Sequence, residues 1–200
     1  MSETLISSIP TEALQISKQE LAARLRTPIG YRDGPTDALE AELRKTVQAA
    51  AVTARFPILK NEGNCIELSC FSIQSEALAK HLQGCEAVYL MAVTLGMQTE
   101  RWLHRLSILS PAKHFIADAI ASAYAEAAAD CIHAALAKDQ ALTNRFSPGY
   151  ADLPLSVQPQ LLSAINANKY LHILLNDSLL MIPQKSITAI VGIRSEMGKE

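Results

Sequence analysis

The sequence predicts an α+β fold: long helices packed on a largely antiparallel, twisted β-sheet, in a single domain over residues 1–200. Three observations lead there. At 200 residues and 21.7 kDa the chain fits one large domain, long enough to bury a sizeable core without disulfides or metals. A composition of 49% hydrophobic and 19% charged residues belongs to globular chains and not to disordered ones. Helical and strand-like patterns alternate with no internal repeat and no linker, so helices and sheet share one fold.

Residues 1–16 are expected to be flexible. Ser17-Lys-Gln-Glu20 forms a capping box, in which the serine accepts an N–H and the glutamate reaches back. It opens a short helix ending near Arg26. Residues 30–36 (GYRDGPT) form a loop by their Gly and Pro content. A helix is expected from Asp37 to about Thr53, with Leu39, Leu43, Val47 and Ala50 or Ala51 on one face. Residues 56–59 and 65–73 look like strands joined across Asn61-Glu-Gly-Asn64. A short helix follows over 75–82, then a buried strand over 86–96 that ends on a glycine, then a helix from Met97 to about Leu109. Ser110-Pro111 is a cap with proline at the first helical position, opening a long alanine-rich helix to about Leu142. Residues 145–154 are too rich in Pro and Gly for either regular element. The last third adds a short helix over 156–165, a strand over 170–175, and a strand rich in β-branched residues over 186–193.

Charge and composition exclude several functions. A formal net charge of -2 and only 18 Lys and Arg argue against nucleic acid, whose recognition needs clustered bases. The N-terminus lacks the basic start and apolar run of a secretory signal. The longest uncharged apolar stretch, 87–97, falls short of the ~20 residues that cross a bilayer. No membrane partner is expected, and the address is cytoplasmic. The four cysteines (Cys65, Cys70, Cys85, Cys131) contain no C-x-x-C pair. Cys65 and Cys70, five apart in a strand-like segment, should point to opposite faces, and buried reduced thiols are expected.

There is no G-x-S-x-G elbow, H-E-x-x-H, P-loop or G-x-G-x-x-G. The five histidines are scattered, and Cys131 and His133 lie about 200° apart around a helix, so no metal site is expected. One helix carries a polar stripe, His114, Asp118, Ser122, Glu126 and Asp130, each four residues after the last. The stripe is either a solvated face or one wall of a binding site. The loop after it is the most informative segment. Arg145 offers a fork matched to a carboxylate. Gly149 allows close approach of main chain to a ligand, and Tyr150 adds a flat apolar face with a polar tip. Such a set suits a zwitterionic ligand; taken alone, the residues read first as an arginine and a tyrosine pinning an irregular loop.

Arg145-Phe-Ser-Pro-Gly-Tyr150, with the Ala-Asp-Leu-Pro-Leu that follows, resembles the RxxxGY segment of the activation domain of vitamin B12-dependent methionine synthase. Asn176-Asp-Ser-Leu-Leu-Met-Ile-Pro and the strand up to Ile193 look like that family's closing segment. Residues 86–96 and 116–133 are similar to its strand ending in T-L-G and its long helix. The likeness covers roughly residues 85–193 in order, and Gly30-Tyr31-Arg32 is similar to an N-terminal element of single-domain members.

The resemblance implies an S-adenosylmethionine-binding accessory protein that supports reductive methylation of cob(II)alamin. The cobalamin would be supplied by a partner, a cobalamin-dependent methionine synthase or another corrinoid protein. The electron would come from a flavodoxin-like or other low-potential donor. The alternative is an interaction module that has lost the ligand site. Carried over, Arg145 would bind the ligand's carboxylate, Ser147 the adenosyl part through its main chain, and Tyr150 would pack near the reacting end. Gly149 completes the turn, and Asp152 would take a ribose hydroxyl or the amino group. Ser122 stands where full-length enzymes have an acid, Glu126 one turn later is the nearest acid, and Leu179 replaces a tyrosine. No residue of this chain is expected to act as catalytic acid or base.

Overall fold

The computed structural model describes residues 4–30 and 33–194, so Tyr31 and Arg32 of the Gly-Tyr-Arg element lie outside the described residues. A six-stranded antiparallel sheet forms the centre. Its strands are β1 (Thr4–Ser8), β2 (Ala50–Glu62), β3 (Cys65–Leu68), β4 (Ser72–Gln74), β5 (Cys85–Thr94) and β8 (Ser186–Arg194). The order is β4-β3-β2-β5-β8, and β1 pairs with the first half of β2 while β3 pairs with its second half. A register shift between Ile58 and Lys60 bends β2 between the two partners. A separate two-stranded ladder joins β6 (Leu174–Leu175) to β7 (Met181–Ile182).

Helices cover both faces of the sheet. On one side lie α1 (Lys18–Leu25), α2 (Gly34–Arg44), α4 (Met97–Leu109) and α5 (Pro111–Leu136), packed on Ala51, Met91, Val93, Ala189 and Val191. On the other side lie α3 (Glu76–His81), α6 (Gln158–Ala164) and α7 (Ala167–Leu171), packed on Val52, Ala54, Val88, Leu90 and Ile190. Successive residues of one strand thus serve opposite cores, because strand side chains alternate. Each fully buried Leu, Ile, Val or Met contributes ~1.5–3 kcal/mol.

Alanine makes α5 a close-packing spine, since Ala117, Ala121, Ala123, Ala128 and Ala129 are all fully buried. Tyr124 is buried among them. Its hydroxyl donates to Glu40 at 2.7 Å and accepts from Arg44 at 2.8 Å, tying α2 to α5. Burial, aided by the bond to Glu40, pushes the Tyr124 pKa up to about 12.

Several expectations need correction. The helix expected over 37–53 ends at Arg44, and Ala50 already opens β2. The strand expected over 65–73 breaks after Leu68, so Cys70 sits in a bend and not on the strand of Cys65. None of the thiols is fully buried: Cys70 is exposed and the other three are half-buried. Residues 170 and 171 belong to α7, which leaves only Leu174–Leu175 as strand. The long helix ends at Leu136. Ser17 caps α1 by accepting from Glu20 N–H, but the Glu20 carboxylate turns to Arg24 instead of reaching back. Thr4–Ser8, in the segment read as flexible, is an edge strand in register with Ala50–Ala54.

Candidate ligand-binding site

The residues after α5 place the site. Residues 141–146 run along the free edge of β8, held by Thr143 N–H to Gly192 O at 2.9 Å and by reciprocal bonds between Phe146 and Ile190. Gly192 eases this approach, because a Cβ there would lie 3.0 Å from Thr143 Cγ2, and it would also crowd Cys85 Sγ at 2.6 Å and Leu82 Cδ2 at 2.8 Å. Alternation along this edge sends Phe146 into the α3/α6 core, while Arg145 reaches across to α5.

Ser147-Pro-Gly-Tyr150 closes a turn with Tyr150 N–H donating to Ser147 O at 3.1 Å. Proline in second place and a glycine at φ +88° in third are the requirements of a type II turn. Gly149 is therefore needed for its backbone angle. A Cβ on it would meet only Leu155 Cδ1, at an ordinary 3.8 Å. The turn sets Tyr150 edge-on against Phe146, with ring centroids 5.2 Å apart, and leaves the residue 66% exposed.

Arg145 forms the centre of the charge arrangement. Its side chain is only 18% exposed, and its guanidinium donates to Glu126 at 2.8 Å and to Asp130 at 2.6 Å. The polar stripe of α5 is thus not simply solvated: its lower half pairs with Arg145 and its upper half with Lys185. The Lys185 ammonium donates to Asp118 at 2.7 Å and to the Ser122 hydroxyl at 2.9 Å. Between the stripe and the loop lies a cleft of about 390 Å³ lined by Glu126, Asp130, His133, Asn144, Arg145, Ser147, Tyr150 and Ile187. Its size falls in the usual range for small-molecule sites. Desolvation, reinforced by the Arg145 charge and opposed by Asp130, pulls the His133 pKa below its ordinary value.

Four of the seven expected residues, Glu126, Arg145, Ser147 and Tyr150, line this cleft together. Gly149 shapes it through the turn. Two do not join. Asp152 turns away to cap α3, accepting from the Ser75 hydroxyl and the Glu76 N–H, and these bonds hold its carboxyl below the usual range. Ser122 is engaged by Lys185 and donates to Asp118 O. Asp152, expected to contact the ligand, instead meets the N-terminus of α3 in this structure and is not among the residues lining the cleft. His133, Asn144 and Ile187 were not expected at the site, and Asp130 only as part of the stripe. Four-residue spacing from Glu126 was the signal for Asp130, and the one-turn step to His133 was the signal for the latter. Among the described residues, no three His, Cys, Asp or Glu side chains gather so as to hold a metal ion.

The fold and the cleft define a class: an α+β domain with a ligand-sized cleft between a long helix and an edge loop. No family model and no curated protein sequence matches the chain. Among solved structures it is similar to a crystal structure of the MetH reactivation domain bound to AdoHcy, with a TM-score of 0.74. The match covers 99% of this chain and 80% of that one at 15% identity, a level that establishes a common fold.

Proposed function

We propose that the chain binds S-adenosylmethionine in the Arg145 cleft and supports reductive methylation of a corrinoid held by a partner protein. The partner would most simply be a cobalamin-dependent methionine synthase, with cobalamin supplied by it and electrons by a flavodoxin-like or other low-potential donor. The observation that carries the reading is the Arg145 fork facing the Glu126–Asp130 pair inside a cleft of suitable size. A solved structure of the same fold is bound to AdoHcy, the demethylated form of that ligand.

The charges suit that ligand. An amino-acid zwitterion needs a cation for its carboxylate and an anion for its ammonium, and the cleft presents both. Glu126 and Asp130 together outweigh Arg145, leaving one net negative charge when His133 is neutral, as its lowered pKa keeps it near pH 7. S-adenosylmethionine carries one net positive charge on its sulfonium, whereas the thioether product is neutral. Bound there, the ligand would supply the methyl group. This chain contributes binding and orientation, and the reaction asks it for no proton transfer. The Arg145 fork would exchange part of its bonding to Glu126 and Asp130 for the ligand carboxylate. Ile187 would supply the apolar floor and Tyr150 a face near the opening.

A second reading, an interaction module that keeps the fold without the ligand, is favoured by one observation: Asp152 and Ser122 are both spent on intramolecular bonds. Isothermal titration separates the two. Saturable S-adenosylmethionine binding below millimolar concentration supports the proposal, and its absence favours the module.

A further inference from the structure

We propose that the corner between α4 and α5 is a docking surface for an anionic lipid membrane. The chain passes from α4 to α5 through the single residue Ser110. Ile108, Leu109 and Phe115 stand at this corner 70%, 67% and 57% exposed. Single exposed apolar residues are ordinary, but large ones gathered on one short segment mark an interaction site. The inward sides of the two helices are occupied elsewhere, by Thr99 and Leu103 on α4 and by Ala117, Ile120 and Ala121 on α5.

Charge identifies the occupant. Arg101 and Arg105 are exposed on α4 and, at i, i+4 and i+7 with Ile108, share its outward face; Lys113 is exposed in the first turn of α5, and no acid occurs in the sequence between Glu100 and Asp118. The flanking acids are engaged: Asp118 pairs with Lys185, and Glu100 accepts from the Gln184 N–H. This segregation arises in a chain where acids outnumber bases, 20 to 18. Exposed apolar side chains on the same helix face as cations match a lipid interface. The apolar groups enter the headgroup–acyl boundary and the cations face anionic lipid. A symmetric contact with a second copy would bring the same cations together and is disfavoured. Among the described residues no helix is long and apolar enough to cross a membrane, so attachment would be peripheral. The inference is independent of the cleft and reverses the expectation, drawn from the lack of a spanning segment, that no membrane is a partner.

Flotation of the whole chain with vesicles tests it, comparing phosphatidylcholine alone with a mixture containing phosphatidylglycerol. The chain should float only with the anionic vesicles and release in high salt. The double variant Arg101→Ala/Arg105→Ala should bind them about 30-fold more weakly, the effect of two membrane-facing cations. Leu109→Ser/Phe115→Ser should also weaken binding while both variants melt as the wild type does. Absence of wild-type flotation, or equal binding to both vesicle types, overturns the proposal. So does salt-sensitive binding to an acidic protein such as a purified flavodoxin without any vesicle binding, which would assign the surface to a protein partner.

Discussion

Replacing Arg145 with alanine separates the two tasks its guanidinium could perform. In the free protein it holds Glu126, which is 35% exposed, and Asp130, which is 72% exposed. The outer bond to Asp130 is solvent-screened and contributes little. The inner one is half-screened, so the stability loss is on the order of 1 kcal/mol. For a chain of this size that lowers Tm by ~2–4 °C. Ligand binding should suffer far more. Losing a charge-assisted fork to a carboxylate costs ~2–3 kcal/mol, which is ~30- to 150-fold in affinity. Isothermal titration with S-adenosylmethionine, beside thermal unfolding of the same sample, reads both quantities. Arg145→Lys keeps the charge without the fork and should recover most of the stability but little of the affinity. An Arg145→Ala variant that binds ligand as the wild type does would refute the reasoning and make the arginine a structural clamp only.

Other perturbations probe the surrounding structure. Asp152→Asn removes the carboxylate that caps α3. It should lower Tm in thermal unfolding yet leave ligand affinity untouched, and lost affinity would return Asp152 to the site. Because the Asp152 pKa is lowered in the fold, its contribution is present above the unfolded carboxyl value and fades as pH falls through the folded one. Gly149→Ala places a Cβ at φ +88° without a clash, so backbone strain alone should cost ~1–2 kcal/mol in urea unfolding, with weaker binding through the distorted turn. His133 has a lowered folded pKa, so the unfolded chain takes up its proton first, and stability should fall as pH drops below 6.5. His133→Gln should flatten that part of the pH profile measured by thermal unfolding.

Some of this architecture was legible and some was not, for physical reasons. The strand β5 and the helix α4 followed from a continuous buried run ending at Gly96 and from clear helical spacing. The misreading of 45–53 has a definite source. Ala51 and Val52 serve opposite cores and are both buried, so the start of β2 shows no polar alternation, and Val47, Ala50 and Ala51 imitate a helical stripe. The His172 backbone at φ +54° ends α7 inside the segment 170–175 that was expected to be a strand. At the site, the Arg145–Tyr150 turn was readable because turn chemistry is local. The four-residue stripe on α5 was readable too, but its partners were not. Lys185 lies 63 residues from Ser122 in sequence, and only the pairing of β8 with β5 brings it alongside. The partner that Asp152 takes in the fold, Ser75, was hidden for the same reason, being 77 residues away.

The central claim is that this cleft takes S-adenosylmethionine, and thermal unfolding with and without that ligand, run beside S-adenosylhomocysteine, tests it most directly. Ligand at 100 times its dissociation constant adds ~2.7 kcal/mol to stability, which for a chain of this size raises Tm by roughly 5–11 °C. The account predicts a shift with both ligands, larger with the sulfonium because the cleft carries net negative charge. An unchanged Tm with either ligand up to millimolar concentration would contradict it.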